Sequence, residues 1–335
     1  MSKYRNCLPL LEDRPFLTDG GLETSLIFHE GVELPYFASY DLLKTERGSA
    51  LIESHYERFT NVARKHGVGI VLATPTWRAS RDWGIKLGYS GSALTDINRR
   101  AVVQLANFRS KWETPATPIV IVGTIGPRGD GYKAYSRMST TEAQNYHQEQ
   151  IDSLTATQVD MVGGFTLNYI DEAIGMVQAA KMACVPISIS FTLETDGRLH
   201  SGESLEEAVE RTDAETMCYA SFFMINCAHP SHLEKALRSG GDWLLRIRGV
   251  RANASKLSHA ELDCADELDD GNPLEFGEET AALRGVLSRM NIVGGCCGTD
   301  HRHAEAIWRA IERGGAHSGQ QGGYWASLVG DVARL

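Results

Sequence analysis

No run of apolar residues in this 335-residue chain approaches the roughly 20 needed to cross a bilayer. The segment Met1 to Glu12 holds no apolar core of signal-peptide length and no clear cleavage site. Basic residues are the minority: 33 Lys and Arg against 43 Asp and Glu leave a net charge of −10. That balance argues against nucleic acid as a main partner and leaves a cationic small molecule open. Cysteine is scarce and odd in number, seven in all. Free or metal-bound thiols in a reducing compartment are therefore expected, not a disulfide framework. These absences together predict a cytoplasmic protein without a membrane partner. No repeat of about 20 to 50 residues is found.

What is present is ordinary in bulk: 42% hydrophobic and 23% charged residues, as in soluble globular chains. Eight strand-like runs alternate with helical patterns. The runs are Phe16–Thr18, Ile70–Ala73, Ile119–Gly123, Val159–Leu167, Pro186–Thr192, Phe222–Cys227, Trp243–Ile247 and the run before Gly294. Helices are predicted over Ser49–Lys65, Ala93–Trp112, Thr140–Thr157 (capped by Thr140 or Thr141), Ser204–Cys218, Glu278–Arg289 and His301–Arg313, with another starting at Pro230. Leu22 to Tyr40 reads as a loop. Arg128 to Met138, with Tyr132, Lys133, Tyr135 and Arg137, reads as either a lid or a surface loop. The alternation predicts a single-domain α/β protein over 1–335, a (β/α)8 TIM-type barrel with its core at about 16–313. An acidic, exposed insertion is expected at about 254–277, and a loose glycine-rich tail from Gly314 as far as Tyr324–Val329.

The chemistry concentrates in Asn291-Ile292-Val293-Gly294-Gly295-Cys296-Cys297-Gly298-Thr299-Asp300. In a regular strand two adjacent side chains point to opposite faces. The three glycines let the chain leave strand geometry, so both thiols can aim at one point. Cys227 ends another apolar run. In one parallel barrel, strand C-termini share a face, so the three thiols would meet there. Three soft thiolates with one open position describe a catalytic zinc site.

These residues carry a resemblance. Gly294-Gly295-Cys296-Cys297-Gly298-Thr299, Asn226-Cys227 and Asp19-Gly20-Gly21 are similar to motifs of the homocysteine S-methyltransferase family, from about residue 16 to residue 313. The resemblance implies zinc bound by Cys227, Cys296 and Cys297 at the barrel mouth. It implies an amino-acid substrate held by Asp19 and the amides of Gly20 and Gly21, where plain turn chemistry is the other reading of Asp-Gly. Thr166 and Asn253 fall at substrate-binding positions, although Arg251, Ala252 and Ala254 fit the pattern poorly. The sequence departs from the family at Phe165, where a glutamate contacting the substrate ammonium is usual. Either another acid takes over, Glu194 being one candidate, or the acceptor is not homocysteine. Independently of the family, Trp77 could present its ring to a cationic sulfonium or ammonium group or simply pack.

The implied reaction is methyl transfer to the thiol of homocysteine, giving methionine. The chain has room for no folate or cobalamin module and lacks the long C-terminal arm of the betaine enzymes. S-methylmethionine or S-adenosylmethionine is therefore expected as donor. No catalytic acid or base is predicted beyond the zinc-bound substrate thiolate. The alternatives are a methyltransferase for another thiol, a zinc hydrolase, and a non-enzymatic zinc protein with His229 as fourth ligand. The partners are small molecules, and a homo-oligomer is left open.

Overall fold

The computed structural model describes residues 2–134 and 136–316, with side chains as far as residue 314. The predicted Tyr135 contribution and the Tyr324–Val329 segment lie outside those residues. Eight strands form the centre: β1 (Phe16–Thr18), β2 (Gly69–Ala73), β3 (Ile119–Ile125), β4 (Met161–Leu167), β5 (Ile187–Phe191), β6 (Phe222–Asn226), β7 (Ile247–Ala252) and β8 (Ile292–Gly295). They pair in parallel in chain order, and β8 closes on β1 with Phe16 opposite Ile292. The fold is a closed (β/α)8 barrel, as the alternating pattern predicts.

Around it lie α1 (Leu22–Thr24), α2 (Glu46–His66), α3 (Arg81–Lys86), α4 (Gly91–Trp112), α5 (Thr140–Thr155), α6 (Ile170–Met182), α7 (Leu205–Thr216), α8 (Pro230–Leu237), α9 (His259–Asp263), α10 (Pro273–Ala282) and α11 (His301–Ala316). Among the described residues no helix is long and apolar enough to cross a membrane. Local chemistry sets the helix ends. Ser139, not Thr140 or Thr141, caps α5 in a reciprocal capping box with Glu142. Gly67, at φ 64°, ends α2 in the left-handed conformation that glycine adopts without a Cβ clash.

Strand residues alternate between two cores. Phe16, Val71, Val122, Met161, Phe165, Phe222 and Met224 fill the barrel interior. Leu17, Ile70, Leu72, Ile121, Ile189 and Phe223 pack outward against the helices. Gly163 makes room inside: a Cβ there would lie 2.6 Å from the Phe165 ring.

The last helix before β8 is Pro273–Ala282, capped by Asn272 and followed by a 3-10 turn, and not Glu278–Arg289. Three further expectations are corrected. The seventh strand is Ile247–Ala252, whereas Asp242–Arg246 is a 3-10 turn. Trp243 and Leu244 are apolar because they pack on the outer core, and Arg246 ties that turn to Asp213 of α7 at 2.6 Å. Leu22 to Tyr40 is not an open loop but a chain of short helical turns. The insertion is exposed at Asp263, Asp266 and Glu267, yet its start is buried at Ala254 and Ser255, and it contains α9.

Candidate active site

Glycine explains how β8 can deliver two thiols. A Cβ on Gly294 would strike the Thr18 hydroxyl, and one on Gly295 the Thr299 hydroxyl. Beyond Gly295 the chain turns: Thr299 donates to the Cys296 carbonyl through its amide (3.1 Å) and hydroxyl (2.7 Å). Gly298 completes the turn at φ 77°. The Asp-Gly-Gly motif packs against this turn. A Cβ on Gly21 would sit 2.5 Å from the Cys296 carbonyl oxygen, and one on Gly20 would sit 2.6 Å from the Phe59 ring. The Gly21 amide is itself engaged, donating to Thr299 O at 3.2 Å.

Cys227 reaches the same point through strain. It and Thr166 both hold positive φ, 55° and 63°, a conformation costing non-glycine residues roughly 1–2 kcal/mol. Asn226 braces the two. Its carboxamide oxygen accepts from the Thr166 amide (3.0 Å), and its nitrogen donates to the Thr166 hydroxyl (2.9 Å) and to Cys227 Sγ (3.2 Å). Strain held this way at a strand end is characteristic of functional sites.

The three sulfurs of Cys227, Cys296 and Cys297 lie within 4.8 Å of one another. Cys227 and Cys296 are 2.6 Å apart. Hydrogen bonds from Cys296 and then Cys297 pull the Cys227 thiol below its usual range against its burial. The same sharing with Cys227 pushes Cys296 up to about 12 and raises Cys297. No His, Asp or Glu joins the group among the described residues. His229 points elsewhere: it caps α8 through Nδ1, and its Nε2 lies 3.4 Å from Glu279.

The other predicted residues divide. Asp19 is buried and paired with Arg251 at 2.8 Å; burial lifts its carboxyl to about 6 although Arg251 opposes the shift. Asn253 donates to the Cys227 carbonyl at 3.2 Å, and its Oδ1 is buried without a hydrogen-bond partner among the described residues. Trp77 donates to Phe165 O at 3.2 Å, but one ring face is covered by the Arg78 guanidinium at 3.9 Å. That face is thereby already occupied by a cation of the protein itself. Phe165 points into the barrel interior, with Arg251 5.3 Å from its ring. Glu194 pairs with His259 (3.3 Å) and His200 (3.5 Å).

Two more side chains reach the site: the sequence placed Tyr132 only in a lid or surface loop and did not single out His259. Tyr132, from the loop after β3, brings its hydroxyl to 3.8 Å from Cys297 Sγ. His259 of α9 stacks obliquely on Tyr132 at 4.2 Å and bonds the Cys227 carbonyl at 2.6 Å. The loop and the insertion thus meet over the thiols. The aromatic, basic make-up of Arg128–Met138 was the available signal.

The sequence profile of the family described as Homocysteine S-methyltransferase matches residues 16–311. The chain belongs to that family. Similar members include bovine Betaine--homocysteine S-methyltransferase 1, 26% identical over 195 residues, covering 52% of this chain and 46% of that protein. S-methylmethionine--homocysteine S-methyltransferase BHMT2 of Pongo abelii is 24% identical over 251 residues, 67% of this chain and 68% of that one. The chain thus spans about half the length of the bovine relative. The homocysteine methyltransferase MmuM of Escherichia coli in its oxidized form shares the fold at a TM-score of 0.70 and 18% identity, covering 89% of this chain and 96% of that one. Its metallated form gives 0.68.

Proposed function

We propose that this family member transfers a methyl group from a sulfonium donor to the thiol of homocysteine, with Cys227, Cys296 and Cys297 holding zinc. The convergence of three thiols at the barrel mouth carries the reading. The donor set fits the metal: three soft sulfurs without a fourth protein ligand among the described residues leave one position open. Bound zinc would supply a position at which a thiol loses its proton near neutral pH.

The chain's own residues supply orientation. Asn226 holds Cys227 in its strained conformation, and the β8 turn holds the adjacent pair. Tyr132 and His259 cover the thiols, limiting water. The transfer itself forms a bond from the acceptor sulfur to the methyl carbon and breaks the carbon–sulfur bond of the sulfonium, leaving a neutral thioether. The acceptor proton goes to solvent beforehand, so no side chain need act as base. Glu23, with no cation at ion-pair distance among the described residues, and the thiols make the mouth attractive to a cationic donor. The relative named for S-methylmethionine supports that donor class.

A second reading, transfer to a different thiol, is favoured by Phe165 and by the Asp19–Arg251 pair, which together remove two carboxylates from acceptor binding. The deciding test measures zinc content and methionine formation from S-methylmethionine and from S-adenosylmethionine. About one zinc per chain with methionine formed is expected, and Cys296→Ala should lose both with an unchanged far-ultraviolet dichroism spectrum. Full activity in Cys296→Ala would sink the zinc reading. Zinc without methionine from either donor would select the second reading.

A further inference from the structure

Three carboxylates stand around the thiols, and two have cationic or basic partners: Asp19 has Arg251, and Glu194 has His259 and His200. Glu23 is different. Among the described residues the Ser39 hydroxyl donates to Oε1 at 2.7 Å, the residue's own amide also favours the carboxylate, and no cation lies within ion-pair distance. Its position is fixed by the double-cysteine turn. Gly21, two residues before it, abuts the Cys296 carbonyl; Thr24, the next residue, accepts the Gly298 amide at 3.2 Å. Glu23 is therefore carried on a short helix pressed against the residues that present the thiols. Its carboxyl is raised first by burial, which the Ser39 bond resists, and it senses the charges of Cys296 and Arg251. A carboxylate with unused acceptor capacity, half-buried at the mouth of a barrel, lacks a counter-ion that a ligand can supply.

We infer that Glu23 receives the ammonium group of an α-amino-acid acceptor at this site, in place of the carboxylate that Phe165 displaces. The inference rests on the proposed acceptor site and specifies its ligand as a thiol-bearing or thioether-bearing amino acid. Ser39 orients the carboxylate by holding Oε1, which leaves the remaining lone pairs for the ammonium hydrogens. Arg251 prevents Asp19 from competing, because that pair is closed at 2.8 Å. Ammonium recognition thereby moves from β4 to the segment after β1, while the barrel interior gains the Phe165 ring.

The test is calorimetric titration of the zinc-loaded full chain with L-methionine and with 4-(methylthio)butanoate, which differs by lacking the amino group. Neither ligand carries a thiol, so binding is read without methyl transfer. The intact protein should prefer methionine by roughly 10- to 100-fold, the range for a hydrogen-bonded charged group. Glu23→Gln should lose that preference while its affinity for 4-(methylthio)butanoate stays the same. Glu23→Ser provides the same comparison should the Gln variant fail to fold. A preference that survives in the neutral variants, or no preference in the intact protein, overturns the assignment. Zinc content and methionine formation measured on the same preparation separate the two readings. A Glu23-dependent preference without transfer keeps the ammonium site and removes the proposed reaction; transfer with a Glu23-independent preference does the reverse.

Discussion

Phe165 is buried among Val122, Met161 and Met224 and also lies under Arg251. Its ring fills space that Gly163 leaves open. Truncation should leave a cavity beneath the thiols, since surrounding strands of a closed barrel cannot collapse far. Phe165→Ala is expected to cost about 3–5 kcal/mol, read as a lowered urea midpoint. A cost below about 1 kcal/mol would mean that the ring carries little packing. The individual cysteines and glycines were legible in the sequence because their chemistry is local: thiols bind soft metals, and glycine permits close approach. Arg251 fits the family pattern poorly, and its partner is Asp19, 232 positions away in sequence. Nothing in the neighbourhood of either residue announces that pair.

The start of the N-terminal segment is anchored by a buried carboxylate, with Glu113 accepting from Tyr4 and Asn291 donating to Leu10 and Glu12 farther along. Asp160, fully buried before β4, accepts from the backbone amides of Lys3 (3.1 Å), Tyr4 (2.9 Å) and Ile121 (2.9 Å) and pairs with Arg109 at 2.5 Å. It joins the segment, β3 and α4. Removing its charge strands the buried Arg109, a change costing about 3–5 kcal/mol. Asp160→Asn should therefore lower the unfolding free energy by that order and expose the first residues to protease. An unchanged cleavage rate would show that other contacts hold the segment. At this scale the strands read well where apolar runs were flanked by helical patterns. β7 did not: its Arg248, Gly249 and Arg251 hide a strand whose polar side chains find partners in Leu10, Glu12 and Asp19. The helix α6 passed unremarked, since it is buried on most sides and lacks a single apolar stripe.

For the whole molecule, acid should weaken the fold below neutrality. His55 is buried against Tyr56 and Phe59, and its Nε2 has no partner among the described residues. Burial first, then Arg58, Arg251 and His301, push its pKa down to about 3. The unfolded chain takes up that proton near pH 6.5, the native state only near 3. Stability is therefore lost as pH falls from 6.5 towards 3, by at most about 1.4 kcal/mol per pH unit for this residue. Glu305 acts in the same direction: Lys65, His66 and Arg309 hold it down to about 2 despite burial, so its contribution is lost on acidification. His55→Leu should flatten the dependence of Tm on pH between about 7 and 5. An unchanged slope would place the acid sensitivity elsewhere.

Strand order, barrel closure and the three thiols at one mouth could be reasoned from residue order, because apolar run length, glycine placement and parallel connection rules are properties of short stretches and their succession. The wall of the site could not. Tyr132 meets Cys297 across 165 positions, and His259 meets Cys227 from an insertion whose composition signals only exposure. Glu23 stands apart as a carboxylate without an ion pair among the described residues only because Asp19 is taken by Arg251. Such pairings depend on where loops from different βα units end in space, and residue periodicity carries no record of that.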